Sequence, residues 1–206
     1  MTFPDDKYDG IGAYSDAYFE RIAKAGASVD RGKLAEAAKM MEEAYRRRAT
    51  LYVCGNGGSA AIANTFVCDH AKLVQTDTDL VPRVVSLSDN ISMISAIAND
   101  LSYDQVFVYQ LATAAVSGDV LVTISASGDS ENVVRAAQWA LDNGVDVIAL
   151  SGFSGGRTAA MATVSLHVEA DNYGVVEDTH QSLMHILAHY IRQSRMSPEL
   201  IAERKF

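Results

Sequence analysis

One stretch constrains the fold more than any other: the apolar run Leu51–Cys54, which leads into a glycine-rich turn and then into an alanine-rich segment with helical character. Four consecutive apolar residues are typical of a strand that is buried on both faces. The turn, Gly55–Ser59, lets a ligand approach the bare backbone, and the N–H groups of the following helix point toward it. Ser59 adds a hydroxyl donor where that helix begins. The stretch therefore predicts an anion site between strand and helix.

The rest of the chain alternates apolar runs with helical patterns, which is typical of a parallel sheet covered on both faces. We expect an α/β fold, a three-layer sandwich around a central, mainly parallel five-stranded sheet. In such sheets, ligands bind beyond the carboxyl ends of the strands. The other four strands are predicted at Arg83–Leu87, Val120–Ser125, Val145–Leu150 and Val164–Val168.

Two amphipathic helical patterns, Ile11–Ala27 and Lys33–Arg48, precede the first strand, and Asp30 is placed to cap the second helix. We expect residues 1–48 to form an N-terminal helical arm that serves oligomerisation, and residues 49–206 to form a single sheet domain. A lone pair of helices cannot bury all of its apolar surface, so Tyr14, Tyr18, Phe19 and Ile22 are predicted to contact a second copy of the chain.

Charge and composition exclude several classes of protein. The net charge of -9 argues against nucleic-acid binding, which needs a basic surface, and it leaves a bound phosphate to local dipoles and hydroxyls. We find no signal peptide in the acidic N-terminal residues and no apolar run that approaches a membrane span, so no membrane association is expected. The two cysteines, Cys54 and Cys68, do not make a disulfide framework and favour a reduced, cytoplasmic protein.

The glycine-rich turn also fits the loose dinucleotide pattern G-x-G-x-x-A through Gly55, Gly57 and Ala60. That pattern requires an acidic residue at the end of the next strand, whereas Leu87 here leads into Ser88. The glycines are not followed by the lysine of a nucleoside-triphosphate loop. We therefore expect no nucleotide cofactor.

A second stretch, Thr123–Ser130, has the same design, because it leaves a buried strand and enters a helix. Its serines, Ser125, Ser127 and Ser130, can donate to several oxygens of one phosphate. Serine and aspartate also cap helices and glycine makes turns, so the stretch alone is equally consistent with an ordinary capped helix. Two turns of the same kind in one chain favour the phosphate site.

The segments GNGGSAA, AIAND and ISASGDSENV together resemble the sugar isomerase (SIS) domain, and the resemblance runs from about Asp30 to Arg192. Within that family the chain is most similar to the phosphoheptose isomerases. The resemblance implies that Ser59, Ser125, Ser127 and Ser130 hold a phosphate and that Asn56 and Asp100 line the sugar. The predicted substrate-binding residues are Asn56, Gly57, Gly58, Ser59, Asp100, Ser125, Ala126, Ser127, Ser130, Glu177 and His180.

The resemblance also implies a catalytic pair. Phosphoheptose isomerases use a glutamate on the first helix of the site and a histidine on the last helix as acid and base. Asp69 and His185 stand at those positions here. An aspartate and a histidine suit aldose–ketose isomerisation, because their environment can bring both pKa values toward neutrality.

Those isomerases commonly bind zinc, through ligands that correspond to Thr65, Asp69, Glu177 and His185. Threonine is a poor zinc ligand, and aspartate is one methylene shorter than glutamate. Two alternatives follow. Either the site is metal-free, or zinc is held by Asp69, Glu177 and His185, with His70 or His180 as substitute ligands.

We expect an isomerase that interconverts sedoheptulose 7-phosphate and D-glycero-D-manno-heptose 7-phosphate through a cis-enediol. A non-catalytic SIS module is the alternative: it would sense a phosphosugar or act as an assembly factor, as one relative does in the initiation of chromosome replication. An isomerase of another sugar phosphate is the third reading. The resemblance further implies a homotetramer with active sites at subunit interfaces and a heptose product suited to lipopolysaccharide or capsule precursors.

Overall fold

The computed structural model describes residues 2–205 of the chain. Five strands form one sheet with the order β2-β1-β3-β4-β5, and every neighbouring pair is parallel. This confirms the predicted α/β class and the five-stranded sheet. The strands are β1 Thr50–Gly55, β2 Arg83–Ser86, β3 Val120–Ser125, β4 Asp146–Ser151 and β5 Val164–His167.

Helices cover both faces of the sheet. A π-helical segment, Cys68–Leu73, directly continues the third helix, and a short 3₁₀ turn, Tyr103–Gln105, precedes the fifth. The helices are α1 Ile11–Ser28, α2 Arg31–Arg46, α3 Gly58–Val67, α4 Ile91–Asp100, α5 Val108–Ala114, α6 Glu131–Asp142, α7 Gly156–Met161, α8 Tyr173–Gln193 and α9 Pro198–Glu203.

The hydrophobic core is divided by the sheet, because successive residues of a strand point to opposite faces. On β1, Leu51 and Val53 pack with α1, α2, α3 and α8, whereas Tyr52 and Cys54 pack with α4, α5 and α6. All six residues of β1 are buried, and so are all six of β3. These two neighbouring strands, in which every residue is buried, carry the two strand-to-helix turns.

The N-terminal helices share the core of the sheet domain. Met41 and Tyr45 of α2 are buried in the same cluster as Leu51, and Asp30 caps α2 by accepting from two backbone N–H groups, as expected. The division of the chain at residue 48 stays a prediction.

The residues before α1 also pack inward. Phe3 is only 4% exposed, and its ring centroid lies 5.2 Å from that of Tyr14 and 5.8 Å from that of Tyr18. Tyr14 and Tyr18 are thus engaged within their own chain, while Ile11 and Phe19 stay exposed. Between residues 2 and 205, none of the helices is long and apolar enough to cross a membrane.

Candidate active site

The two predicted turns lie side by side at the carboxyl ends of β1 and β3, which are neighbours in the sheet. A cleft of about 170 Å³ lies between them and the first turns of α8. Tyr173 and Ile124 contribute to its wall. Most of the predicted substrate-binding residues line the same cleft: Asn56, Ser59, Ser125, Ala126, Ser127, Ser130 and Glu177.

The hydroxyls of the second turn are arranged to donate. Ser125 Oγ accepts from the N–H of Gly128 at 3.2 Å, and Ser127 Oγ accepts from the N–H of Asp129 at 3.3 Å. Each hydroxyl proton is then free to reach a ligand, because a hydroxyl both accepts and donates. Ser125 and Ser59 are each at least nine-tenths buried, so bulk water competes weakly for their protons.

The N-termini of α3 and α6 are also available to a ligand. Ser130 precedes α6 and Gly57 precedes α3, and within the described residues neither helix receives a side-chain cap. The N–H groups of the first two residues of each helix therefore remain for a ligand, whereas Val133 donates to the carbonyl of Ser130 and to Asn132 Oδ1, and Ala60 donates to the carbonyl of Gly57. Two helix N-termini with serine hydroxyls suit an anion with several acceptor oxygens, such as a phosphate.

Glu177 enters the cleft from the first turns of α8 and lies against Gly58. A Cβ atom on Gly58 would come within 2.5 to 2.7 Å of the Glu177 carboxylate oxygens, so this contact needs a residue without a side chain. The carboxylate therefore rests beside the N-terminus of α3, where a negative charge is favourable.

Asn56 connects the two turns. Its side-chain amide exchanges two hydrogen bonds of 2.9 Å with that of Asn132, and its Oδ1 also accepts from the Tyr103 hydroxyl at 2.8 Å. Sequence reasoning missed both partners, although Asn132 lies only two residues beyond the second turn, and its place in the first turn of α6 was a usable signal. Asp100 does not line the cleft. It lies on the exposed last turn of α4 and accepts from Asn99 at 2.8 Å.

The predicted catalytic pair is in direct contact. His185 Nδ1 lies 2.7 Å from Asp69 Oδ2, and the Gln181 amide nitrogen lies 2.9 Å from His185 Nε2. This arrangement is satisfied when the imidazole carries its proton on Nδ1, donates it to Asp69 and accepts from Gln181 at Nε2. The Asp69 side chain is 18% exposed and that of His185 is 46% exposed, so a substrate can reach the pair.

The π-helical segment sets the direction of Asp69. In it the N–H of Val74 donates to the carbonyl of Asp69 at 3.1 Å, five residues back. His70 points inward instead: its ring stacks on Phe66 at 3.8 Å, and its Nδ1 lies 2.7 Å from the Tyr45 hydroxyl. Burial lowers the pKa of His70 to about 3, so this imidazole is neutral. Single π turns occur frequently at functional sites.

The predicted zinc ligands do not converge. Glu177 rests at Gly58, while His185 lies eight residues further along α8, roughly 12 Å by helical rise. Thr65 is exposed, and its hydroxyl donates to the carbonyl of Ala61 at 3.0 Å. In residues 2–205 there is no group of three or more histidine, cysteine, aspartate or glutamate side chains that can hold a metal ion. The donor set therefore does not fit zinc.

The two histidines suggested as substitute ligands are also unsuitable, because both rings are buried. His180 is not in the lining of the cleft. Its ring lies in the interior, where burial lowers its pKa to about 4, and neither nitrogen has a hydrogen-bond partner among the described residues. His180 thus does not touch a ligand of the cleft.

Comparison with known proteins agrees with this geometry. The profile of the SIS domain family matches residues 14–152. The phosphoheptose isomerase of Mycobacterium tuberculosis is 33% identical over 187 residues, which cover 89% of this chain and 95% of the relative. Among solved structures, the phosphoheptose isomerase from Neisseria gonorrhoeae superposes with a TM-score of 0.79 at 32% identity, covering 87% of this chain and 97% of its own.

A second solved structure, of a phosphoheptose isomerase from Francisella tularensis, has a TM-score of 0.80 at 29% identity, covering 88% of this chain and 96% of its own. The family profile runs from α1 to β4, and so includes both turns and Asp69. This chain therefore belongs to the phosphoheptose isomerase family of SIS-domain proteins.

Proposed function

We propose that the protein is an aldose–ketose isomerase that interconverts sedoheptulose 7-phosphate and D-glycero-D-manno-heptose 7-phosphate. The observation that carries the proposal is the 2.7 Å contact between Asp69 and His185 on the same two helices that wall the phosphate cleft. Asp69 lies ten residues beyond Ser59, roughly 15 Å along the helical axis. A heptose 7-phosphate in its open form carries its phosphate and its carbonyl at opposite ends, which suits two separated centres.

The residues of the cleft would bind and orient the substrate. Ser59, Ser125, Ser127 and Ser130, with the N-termini of α3 and α6, would hold the phosphate. Asn56, fixed by Asn132 and Tyr103, offers its amide to the sugar hydroxyls. Binding energy from the phosphate end then positions C1 and C2 at the reacting groups.

Proton transfer falls to the pair. In the proposed step the His185 imidazolium donates a proton to the carbonyl oxygen while the Asp69 carboxylate takes the proton from the neighbouring carbon, which gives the enediol. The neutral His185 then takes the proton of the other oxygen and Asp69 returns its proton to the former carbonyl carbon, so both groups are regenerated. Ring opening also needs an acid and a base, and we assign it to the same pair. No step is routed through zinc, since the donor set does not fit it.

The non-catalytic alternative rested on Thr65 in place of a histidine. The direct Asp69–His185 contact and the identity to phosphoheptose isomerases over most of the chain favour the enzyme.

We propose that the enzyme acts in the cytoplasm as a homotetramer. Ile11 and Phe19 on α1 and Ile186 and Tyr190 on α8 are exposed apolar side chains that a second copy would cover. Light scattering on the purified protein should give four chains, and a monomer at micromolar concentration contradicts the assembly.

Activity is tested by incubating the protein with sedoheptulose 7-phosphate and following the aldose by NMR. Asp69→Asn and His185→Gln should each lower kcat by about 100-fold or more, as expected when a general acid or base is removed. His189→Gln, one turn further along α8, is the matched control and should stay near the wild-type rate. Near-full activity of either site variant removes that residue from the mechanism, and an inactive wild-type protein favours the non-catalytic alternative.

A further inference from the structure

The loop after β4 reaches across to the serine loop, defined here as residues 125–130. Arg157, at the start of α7, contacts Asp129 at three points. Its backbone N–H and its Nε donate to Oδ1 at 3.1 and 3.0 Å, and one terminal nitrogen donates to the backbone carbonyl of Asp129 at 2.8 Å. The other terminal nitrogen donates to Glu131 at 2.9 Å.

These contacts act on a hydroxyl that faces the cleft. Arg157 fixes both the side chain and the carbonyl of Asp129, and the N–H of Asp129 donates to Ser127 Oγ at 3.3 Å. That bond occupies an acceptor position of the Ser127 hydroxyl and leaves its proton for a ligand. Arg157 is itself outside the lining of the cleft, so it acts through Asp129.

The backbone of the same loop packs closely on the serine loop. The N–H of Thr158 donates to the carbonyl of Gly128 at 3.0 Å. A Cβ atom on Gly156, whose φ is +61°, would lie 2.5 Å from the carbonyl oxygen of Ser127. The Arg157 contacts are therefore part of a continuous support for the loop.

The positive charge of Arg157 also acts on the carboxylates beside the phosphate site. The hydrogen bond from Arg157 holds the pKa of Asp129 below its usual value, and bonds from Arg135 and Arg157 do the same for Glu131, so both carboxylates are ionised. Two anionic groups thus adjoin a site for an anion in a chain of net charge -9. The guanidinium offsets their repulsion of a phosphate.

We propose that Arg157 is a positioning residue of the phosphate site, which holds the serine loop in its ligand-binding geometry and neutralises the carboxylates beside it. The inference rests on the proposed function in that the ligand is a phosphate. Ion pairs between exposed side chains contribute little to the free energy of unfolding, and the Arg157 side chain is half exposed. The effect of Arg157 therefore appears in ligand binding rather than in folding.

The test compares Arg157→Gln with Arg135→Gln. Arg135 is a matched control because it is similarly exposed and pairs with the same Glu131, but within residues 2–205 it forms no hydrogen bond or ion pair with Asp129. Arg157→Gln should weaken the binding of inorganic phosphate, measured by NMR titration, and raise KM for sedoheptulose 7-phosphate, each by about tenfold, with kcat retained. Arg135→Gln removes one charge beside Glu131 but leaves Asp129 in place, so it should change both constants less, with kcat retained. Equal effects of the two variants overturn the proposal.

Amide hydrogen exchange at Gly128 and Asp129 supplies a readout that needs no ligand. Exchange should accelerate in Arg157→Gln and not in Arg135→Gln, and unchanged exchange also overturns the proposal. A wild-type protein that binds phosphate but does not isomerise sedoheptulose 7-phosphate refutes the proposed function alone, because the phosphate titration and the exchange measurement still decide the role of Arg157. Should Arg157→Gln fail to fold, Arg157→Lys is measured in its place, since it keeps the charge and loses the planar set of donors.

Discussion

Gly128, at the centre of the serine loop, should be the most sensitive glycine of the phosphate site. Its φ is +66°, in the left-handed region, and a Cβ atom there would overlap the carbonyl oxygen of Gly155 and lie 2.8 Å from its carbonyl carbon. The obstacle is backbone, which cannot rotate away as a flexible side chain can. Gly128 also donates its N–H to Ser125 Oγ, so displacement of this residue moves a predicted phosphate ligand.

The cost of Gly128→Ala has three parts. A left-handed alanine costs roughly 1–2 kcal/mol, and forcing a methyl group against packed backbone costs about 1–3 kcal/mol more. Reduced freedom of the unfolded chain offsets about 0.4–1 kcal/mol. The free energy of unfolding should therefore fall by roughly 1–5 kcal/mol, the sum of those contributions.

Gly118→Ala is the matched control. Gly118 has a φ of +91°, but no atom among the described residues lies within 4 Å of a Cβ built there. Gly118→Ala therefore carries the cost of a left-handed alanine but not the cost of a steric overlap. Urea unfolding of both variants at one fixed protein concentration isolates the packing contribution, and phosphate titration should show weaker binding for Gly128→Ala only. Equal losses of stability in the two variants refute the close packing of Gly128 on Gly155.

Three further outcomes are expected. Tyr45→Phe removes the hydroxyl that lies 2.7 Å from Nδ1 of the buried His70 ring and should lower the free energy of unfolding by about 1–3 kcal/mol in urea titrations, with an unchanged value contradicting the buried bond. The folded-state pKa of His180, about 4, lies below the ordinary value of 6.5, so the unfolded chain binds more protons, and stability should fall as pH drops from 6.5 toward 4. The slope from this residue is at most about 1.4 kcal/mol per pH unit, and His180→Leu should flatten the urea-derived profile by that amount. Incubation with zinc followed by desalting should leave no stoichiometric metal by elemental analysis, because the predicted ligands do not converge; one zinc per chain contradicts this geometry.

The strands were predictable to within one or two residues because their signal is local. The strand predicted at Val120–Ser125 is observed there as β3, because a short run of apolar residues between turn signals is typical of a buried strand. The change from α-helix to π-helix at Cys68 was not predicted. A tertiary contact of this segment, between His70 and Tyr45, joins residues 25 positions apart in the chain, and no local pattern encodes it.

The same distinction applies to the site. The serines and glycines of the two turns could be predicted because each turn is a continuous segment with its own chemistry. Tyr103 and Arg157 could not, because they reach the turns from other loops and only the tertiary structure joins them. His180 shows the opposite case: it is one of the predicted substrate-binding residues, but its ring is buried and lies outside the lining of the cleft.

Thr65 and Asp69 are the two departures from the family pattern, and both are consistent with a site that holds no metal. A histidine at position 65 and a glutamate at position 69 would offer a metal two ligands on one helix face, whereas here the Thr65 hydroxyl turns back to its own helix. The shorter aspartate still reaches His185, at 2.7 Å, from the π-helical segment. This direct hydrogen bond fixes the tautomer and the orientation of the imidazole, which a shared metal ion would otherwise do. In the mechanism proposed above, proton transfer therefore depends on the geometry of a single Asp–His contact.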